Sequence, residues 1–539
     1  MTDATLKRLV EGLKLDGFKL KHTSSGPSFR GSVRVRENLV NLRLEYLDAN
    51  FAEPPKVFVE QPEKLSPGVI AHLDEAAELC VLDRRLYVAD RYAVAEQARG
   101  IVRRAAEVLE RGLTKAGPQE IAEEFPRHWG GKVVEVHFGP RNGFAKVVEA
   151  KSWLQFEICS EPVAPPGIGA VVIQTGLRLS FLNGQSRPST LGDVLDWARA
   201  WDPTLPNRML GGLSALSPID PFAIIYAPNG IAIFQLKVSS RGERVVKSVL
   251  RPRAWRTLVR GNFGRNLPIT RNQGLRVDTE YILGTNSMNG TAPLAGLTIA
   301  LVGCGAIGGF LSIALAQLGA GLAGGRLVLI DHDILSARNT ARHRLGADKV
   351  GTNKALACKE CVEQAFPGLS VSGLPLKVEQ CQSRVMAAQF AIDATGEHAV
   401  GDLLNAWRLE QSASGGASPA LLHVWVEGNG AAVQSYFSSD PNGGCYRCLQ
   451  PDLLLPPRFP VLRRDADVSV ATGCGEAPFS PYGPAAPMAA AALATSHVLD
   501  WVRGTPRPLL RTARLSFQDT LERKPANPSK SNRCPACGG

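Results

Sequence analysis

Residues 297–320 read LTIALVGCGAIGGFLSIALAQLGA and carry the strongest structural signal in this chain of 539 residues. An apolar run is followed by a glycine-rich turn and then by apolar residues at helical spacing. Gly303, Gly305 and Gly308 fit the pattern GxGxxG, whose glycines let the backbone approach a phosphate at a helix N-terminus. The stretch therefore predicts a parallel α/β sheet with a nucleotide site.

A second strand-like run, RLVLID at 326–331, ends at Asp331. A carboxylate at that place can bind a ribose hydroxyl. A nicotinamide-dependent oxidoreductase would have the same features, so this part of the sequence leaves both kinds of nucleotide enzyme open.

The next residues, DHDILSARNTARHRLGADKVGTNKA at 331–355, favour ATP. They add Asp333, Asn339, Arg342 and Lys354, for which a redox cofactor has little use. A triphosphate attacked at its α-phosphorus does need cations and a metal, because charge develops on the phosphates. Further on, FAIDATGEH places Asp393 at a strand end, where an oxygen ligand can bind Mg²⁺.

This set of residues resembles the pattern of the ThiF-type adenylating enzymes, which include the ubiquitin-activating enzymes. The resemblance covers 286–539 and implies that ATP adenylates the C-terminal glycine carboxylate of a ubiquitin-like protein. It implies that Arg342 and Lys354 contact phosphates, Asp331 the ribose and Asp393 the Mg²⁺, with Asn339 near the phosphates or the metal.

The same family is usually dimeric, so the resemblance also implies a homodimer. Many of its members take an arginine from the partner subunit. Arg271 and Arg276, upstream of the first strand of the fold, are the candidates for that arginine.

The cysteines suggest a metal site. Two CxxC pairs, Cys445 with Cys448 and Cys534 with Cys537, supply four thiolates, which suits tetrahedral Zn²⁺. The string GGCYRCLQP around the first pair resembles the zinc knuckle of the ThiF-type enzymes. We therefore expect a structural zinc.

Cys474 stands in a glycine-rich segment before an alanine-rich helix. The resemblance implies a nucleophile here, because thioester-forming members use a cysteine at this place to attack the acyl-adenylate. The alternatives are a buried structural cysteine and an enzyme of the sulfur-carrier type, which stops at the adenylate.

The N-terminal part resembles ubiquitin-conjugating enzymes. FAEPPKVFVEQP at 51–62 is similar to their turn and strand, and AHLDEAAELCVLD at 71–83 contains His72 and Cys80 at the places of their histidine and catalytic cysteine. The sequence departs from the pattern at Leu73 and Asp74, and the gap between His72 and Cys80 is shorter. The resemblance implies that Cys80 accepts the ubiquitin-like protein by thioester exchange; the alternative is a core cysteine. His72 is either a loop-shaping residue or a base.

The chain thus divides into a conjugating-type α+β domain at 1–117, a mixed α/β domain at 118–285 and a Rossmann-like adenylation domain with zinc knuckles at 286–539. This order resembles the activating–conjugating fusion proteins of bacterial antiphage defence. We expect a target protein as the final acceptor. The rival functions are a sulfur-carrier activator, a non-enzymatic scaffold with a degenerate conjugating domain and, more distantly, a nicotinamide oxidoreductase.

Bulk composition narrows the remaining classes. Hydrophobic residues make up 44% and charged residues 21%, which is ordinary for a globular protein. The net charge of +11 lacks the aromatic–basic pattern of single-strand binders, so nucleic-acid binding is not expected. No apolar stretch approaches the roughly 20 residues of a membrane span. We expect a cytoplasmic protein whose thiols stay reduced.

Overall fold

The computed structural model describes residues 3–23, 26–47, 53–82, 87–90, 92–149, 154–162, 168–182, 184–239, 251–287, 289–466, 468 and 481–538. Cys474 lies outside the described residues. The chain forms two compact units, Met1–Asp278 and Thr279–Gly539. Each unit has apolar clusters of its own.

The first unit begins with a five-stranded antiparallel sheet that packs against two helices. The elements are α1 (Asp3–Leu15), β1 (Lys19–Thr23), β2 (Gly26–Val35), β3 (Asn38–Glu45), β4 (Lys56–Glu60), β5 (Glu78–Leu79) and α2 (Val94–Gly112). Strand β3 buries Val40, Leu42 and Leu44, because alternate residues of a strand face the same side. The helices α1 and α2 pack closely, since a Cβ on Gly12 would lie 2.5 Å from Cβ of Ala95.

A closed seven-stranded barrel with associated helices follows in the same unit. Its elements are α3 (Gly117–Glu123), α4 (Phe125–Trp129), β6 (Lys132–Val136), β7 (Gly143–Glu149), β8 (Leu154–Cys159), β9 (Gly169–Gln174), α5 (Leu191–Trp201), α6 (Leu205–Leu213), β10 (Phe222–Ala227), β11 (Gly230–Leu236), α7 (Pro252–Arg260), α8 (Asn262–Arg265) and β12 (Ile269–Arg276). The aromatic rings of Trp129 and Trp197 lie 4.8 Å apart in its core. Val69 and Ala71, which precede β5, belong to this same core, so the barrel packs directly on the segment that leads to Cys80.

The second unit contains one seven-stranded sheet. Its elements are α9 (Thr279–Thr285), β13 (Thr298–Val302), α10 (Ala306–Gln317), β14 (Arg326–Ile330), α11 (Lys354–Ala365), β15 (Val371–Leu374), α12 (Gln382–Met386), β16 (Phe390–Asp393), α13 (His398–Ala413), β17 (Ala420–Glu427), β18 (Ala432–Phe437), α14 (Ala485–Val502) and β19 (Leu510–Arg514). Strands β13 and β14 are almost wholly buried, as expected for parallel strands with both faces covered.

The strand order of this sheet is β15-β14-β13-β16-β17-β18-β19. The first five strands are parallel, β18 pairs antiparallel with β17, and β19 pairs antiparallel with β18. The chain runs outward from β13 to one side and later returns to place β16 on its other side. Ligands of doubly wound sheets bind at the carboxyl ends of the strands at such a switch point.

The predicted fold is confirmed: a Rossmann-like sheet in the second unit, an α+β sheet at the start of the first and a mixed α/β region after it. The division at 1–117, 118–285 and 286–539 stays a prediction. Among the described residues, no helix combines the length and apolar character needed to cross a membrane.

Candidate functional site

A cavity of about 700 Å³ opens at the carboxyl ends of β13, β14 and β16. This size is typical of small-molecule sites. Five residues predicted from the sequence line it: Gly303, Gly305, Asp331, Asp333 and Lys354. Four others are not part of its wall: Gly308, Asn339, Arg342 and Asp393.

A side chain at each of the three glycines of the loop would have a different physical consequence. Gly303 has a φ of 86°, a backbone conformation that favours glycine. A Cβ on Gly308 would lie 1.9 Å from the carbonyl oxygen of Gly303, so α10 could not pack there with any side chain. A Cβ on Gly305 would meet nothing within 4 Å, which leaves the N-terminus of α10 open toward the cavity.

The side chains of Asp331 and His343 bind the backbone of this loop at Cys304. The backbone N–H of Cys304 donates to Oδ2 of Asp331 at 2.7 Å. The ring of His343 lies 2.8 Å from the carbonyl oxygen of Cys304 through Nε2, and its Nδ1 accepts from the N–H of Leu345. Burial lowers the pKa of His343, so a neutral ring donates from Nε2 to Cys304. These contacts fix the loop from within the protein.

Lys354 presents a cation to the cavity at the start of α11. Its Nζ lies 2.7 Å from Oδ2 of Asp333, and its side chain is 12% exposed against 53% for Asp333. Burial opposes ionisation of Asp333, but the hydrogen bond and charge of Lys354 hold its pKa below the usual range. An anionic ligand in the cavity would find this ammonium group already in place.

Arg342 and Asn339 have other contacts than the cavity. The guanidinium carbon of Arg342 lies 5.3 Å from the ring centre of Tyr482, and Tyr482 lines the cavity. Oδ1 of Asn339 accepts from the N–H and the hydroxyl of Ser336 at 3.0 and 3.1 Å, which closes a short turn. Their predicted contacts with phosphates stay predictions.

Asp393 has protein partners on both of its oxygens. Oδ1 accepts from the N–H and the hydroxyl of Thr395 at 3.1 and 2.7 Å, and Oδ2 lies 3.0 Å from Nδ1 of His423. The residue is 4% exposed. Other carboxylates do line the cavity, among them those of Asp331, Asp333, Glu379 and Glu397. The role of Asp393 as a Mg²⁺ ligand stays a prediction.

The four predicted zinc ligands come together although Cys445 and Cys534 are 89 residues apart in the chain. Their sulfur atoms are separated by 3.9 Å (Cys445–Cys448), 3.7 Å (Cys445–Cys534), 3.4 Å (Cys448–Cys537) and 3.8 Å (Cys534–Cys537). A Zn–S bond of about 2.3 Å gives tetrahedral edges of about 3.8 Å. Burial raises the pKa of Cys448 to about 11, and a bound cation would offset that cost. The donor set fits Zn²⁺.

A second cavity of about 630 Å³ lies in the first unit and contains both His72 and Cys80. Pro54 and Pro55 line it on one side, as the resemblance to conjugating enzymes suggested. Cys80 is half-buried, and its N–H donates to the carbonyl oxygen of His72 at 2.8 Å. The structure thus brings the predicted pair together.

His72 lies between two carboxylates. Its Nε2 is 3.2 Å from Oε2 of Glu120, and its Nδ1 is 3.4 Å from Oε2 of Glu124. Both ring nitrogens thus face acceptors, and the adjacent Glu124 raises the pKa of His72, which favours the imidazolium form. Asp74 shapes the turn, since Oδ1 accepts from the N–H groups of Ala76 and Glu78. Of the two roles left open for His72, this geometry favours loop shaping.

Comparison with known proteins matches two family models to this chain. Residues 279–537 match the ThiF family, and residues 4–135 match Prokaryotic E2 family B. Residues 279–537 are a ThiF family domain. The match to Prokaryotic E2 family B makes residues 4–135 an E2-like domain. Together the two domains mark the chain as an enzyme of the activating and transferase type.

Several curated proteins are similar to the chain. The ATP-dependent ubiquitin transferase-like protein Cap2 of Pseudomonas aeruginosa is 28% identical over 91% of this chain and 90% of its own length. Cap2 of Vibrio cholerae is 30% identical over 43% of this chain and 39% of its own length. A crystal structure of Escherichia coli MccB with ATP is 19% identical, covers 46% of this chain and 68% of its own, and has a TM-score of 0.34, too low to argue from.

The structure adds residues that the sequence interpretation missed in the ThiF domain. Asn353 caps α11 by accepting from the N–H of Leu356, and it donates to the carbonyl oxygens of Asp331 and Asp333 at 2.9 and 3.0 Å. An asparagine directly before a helix is a local signal that could have identified it. His343 has no such signal, because its contact with the glycine loop depends on the tertiary fold.

The two upstream arginines are also occupied. Arg271 donates to the carbonyl oxygens of Trp129 and Pro188 and to Glu75. Arg276 pairs with Asp278. The structure thus gives Arg271 three partners within the first unit, and the role of either arginine in a partner subunit's site stays a prediction.

Proposed function

We propose that this protein activates the C-terminal glycine of a ubiquitin-like protein and transfers it, over two cysteines, to an amine or hydroxyl of a target protein. The observation that carries the proposal is the presence, in one chain, of a nucleotide-type cavity and a separate cavity with a half-buried cysteine. The Cap2 relative, which spans nearly the whole chain, is named an ATP-dependent ubiquitin transferase-like protein.

The first step is adenylation in the ThiF domain. A carboxylate oxygen of the glycine attacks the α-phosphorus of ATP, and pyrophosphate leaves. The open N-terminus of α10 at Gly305 and the ammonium group of Lys354 offset the negative charge that develops on the phosphates. Asp331 would bind the ribose from the end of β14.

Mg²⁺ would neutralise part of the phosphate charge when it is bound with ATP. Asp393 is buried with protein partners on both oxygens, whereas Glu397 already faces the cavity. The two candidate ligands can be separated by the Mg²⁺ concentration that half-saturates ATP–pyrophosphate exchange. It should rise in Asp393→Asn if Asp393 is the ligand and in Glu397→Gln if Glu397 is the ligand. Zn²⁺ would be held by the four cysteines and would stabilise the fold.

The next steps exchange thioesters. The Cys474 thiolate attacks the acyl carbon and AMP leaves; the Cys80 thiolate then attacks the same carbon and the Cys474 thiolate leaves. Finally the acceptor attacks, Cys80 leaves as a thiolate, and the acceptor's proton is released. Because both cysteines are on one chain, the effective concentration of the second thiol is raised. By the resemblance of its domain order, we place this chemistry in bacterial antiviral defence.

A non-reducing gel tests the proposal. Wild type, Cys474→Ala and Cys80→Ala are mixed with ATP, Mg²⁺ and small proteins that end in glycine. We expect a thiol-sensitive adduct that disappears in Cys474→Ala and stays on Cys474 in Cys80→Ala. If a small protein supports ATP–pyrophosphate exchange but forms no thioester, the relay is wrong and a sulfur-carrier type of activation replaces it.

A further inference from the structure

The loop that leads to Cys80 contains backbone strain. His72 and Ala77 have φ values of 63° and 61°, a region that residues with a side chain rarely adopt. Such a backbone conformation is strained and persists only where the surrounding structure enforces it. Asp74 supplies two hydrogen bonds from within the loop. The carbonyl oxygen of Ala77 accepts from the N–H of Val59 on β4, and further support comes from the barrel.

Glu75, at the tip of this loop, is fixed at both carboxylate oxygens. Oε2 accepts from the backbone N–H of Gly131 at 3.1 Å. Oε1 accepts from a guanidinium nitrogen of Arg271 on β12. The Arg271 side chain is 14% exposed and that of Glu75 is 49% exposed, so the guanidinium is largely buried while the carboxylate remains open to water.

Arg271 connects three segments. Its Nε donates to the carbonyl oxygen of Trp129 at the end of α4, at 3.0 Å, and one Nη donates to that of Pro188 at 2.6 Å. The backbone is tight here as well, because a Cβ on Gly131 would lie 2.0 Å from the carbonyl oxygen of Arg271. The guanidinium fork therefore transmits the position of β12 to Glu75.

Arg187 supports the other side of the loop. Its Nε donates to the carbonyl oxygen of His128 at 2.8 Å, and one Nη lies 3.4 Å from that of Leu73. The chain just before the loop also docks on this region, since the N–H of Val69 donates to the carbonyl oxygen of Gln185 at 3.0 Å. The loop is thus supported along its length by residues that lie beyond the E2 family match.

We propose that Arg271 and Glu75 are positioning residues of the transfer step at Cys80, and that the barrel acts through this pair to hold the loop in its working geometry. In that step the Cys80 thiolate forms a bond to the acyl carbon, the bond from that carbon to Cys474 breaks, and Cys474 leaves as a thiolate. The inference rests on the proposed function for this step, but the restraint on the loop is testable without it.

The partner-free test is hydrogen–deuterium exchange of the full chain, measured on peptides that cover 66–80. Arg271→Ala should raise exchange there about 10-fold, and Glu75→Gln less, because an amide can accept from only one of the two donors. Lys146→Ala is the matched control: it removes an ion pair with Glu157 in the same barrel that does not touch the loop. The thermal midpoint shows whether a variant is folded.

The functional test uses the small protein that forms the adduct in the gel described above. We expect single-turnover transfer to Cys80 to slow about 10-fold in Arg271→Ala, with the half-saturating concentration of the small protein unchanged. In a Glu75→Ala background the same change should have little further effect, because the two residues act as a unit. ATP–pyrophosphate exchange should stay at the wild-type rate.

The outcomes separate the two proposals. If wild-type Cys80 forms no thioester, the proposed function fails, and exchange at 66–80 still decides whether the pair restrains the loop. If Arg271→Ala keeps the wild-type rate of transfer to Cys80 and wild-type deuterium exchange at 66–80, the inference is overturned. It is also overturned if Arg271→Ala abolishes ATP–pyrophosphate exchange, since Arg271 would then act in adenylation.

Discussion

The nucleotide cavity and the Cys80 cavity are similar in volume, at about 700 and 630 Å³, but they are assembled differently. The glycine loop, Asp331 and Lys354 follow one another along consecutive strands and helices of one sheet. The loop before Cys80 depends on residues as distant as Arg187 and Arg271. A motif can therefore reveal the first kind of site, while the second needs the fold.

The largest effect is expected at Lys354. Lys354→Ala should lower the rate of ATP–pyrophosphate exchange at least about 100-fold, because one preorganised donor to a developing negative charge is worth that much. Lys359→Ala, on the same helix and paired with Glu363, should match wild type. Hydrogen–deuterium exchange at 66–80 should not change in either variant. A wild-type rate in Lys354→Ala would contradict the view that local elements make this site.

The four-cysteine cluster is a site whose two CxxC pairs are each local in sequence but lie far apart from one another in the chain. Cys448→Ser should reduce the zinc content from about one ion per chain to none. It should lower the free energy of unfolding by about 4 kcal/mol or more, as losses of a structural metal do. Cys361→Ser, on α11 and outside the four-cysteine cluster, is the control for metal analysis and thermal unfolding. Retention of zinc by Cys448→Ser would refute the assignment.

The loop at His72 should respond to pH. The folded pKa of His72 is raised, chiefly by Glu124 and also by Glu120. Its stabilising contribution is therefore complete below the unfolded pKa and is lost as the pH rises through the folded pKa. Deuterium exchange at 66–80, corrected for its intrinsic rate, should stay constant below the unfolded pKa of about 6.5 and increase severalfold as the pH rises above it.

Glu124→Gln sharpens this test. Without that carboxylate the folded pKa of His72 falls toward its unfolded value, so the rise in exchange should be smaller and should end at lower pH. Glu157→Gln, a barrel carboxylate that pairs with Lys146 instead, should leave the profile unchanged. A pH-independent profile in the wild type would show that His72 does not hold the loop as a cation.

The smallest effect is expected at Asn353. Asn353→Ala removes the cap of α11 and should cost about 1 kcal/mol of unfolding free energy in urea. Gln364→Ala, near the other end of the helix, should change stability by less than about 0.5 kcal/mol. A loss no larger than that of Gln364→Ala would mean that the loop of Asp331 and Asp333 is held without this residue.

Sequence alone predicted the sheet, the glycine loop and the wall residues Asp331 and Lys354, because a strand–turn–helix pattern fixes their relative positions. It also predicted the four-cysteine cluster, because the chemistry of two CxxC pairs demands it. It could not predict that Asp393 would face Thr395 and His423, since neighbouring side chains decide where a carboxylate points.

The Cys80 region shows the same limit more strongly. The proline turn, His72 and Cys80 were visible as a motif, and the structure places them around one cavity. Glu120 and Glu124 carry no sequence signal, because a glutamate on a short helix is usually a solvated surface residue. Only the fold places them against the ring of His72.

The attachment of Glu75 to Arg271 has a consequence for how this protein can be recombined. The E2 family match ends at residue 135, yet β12, whose Arg271 binds Glu75 of the loop, begins at Ile269. A chimera that borrows only the matched segment would leave the loop without the contacts of Arg187 and Arg271. The smallest part that can be grafted onto another activating enzyme with its reactive loop intact is therefore residues 1–278, inherited as one block.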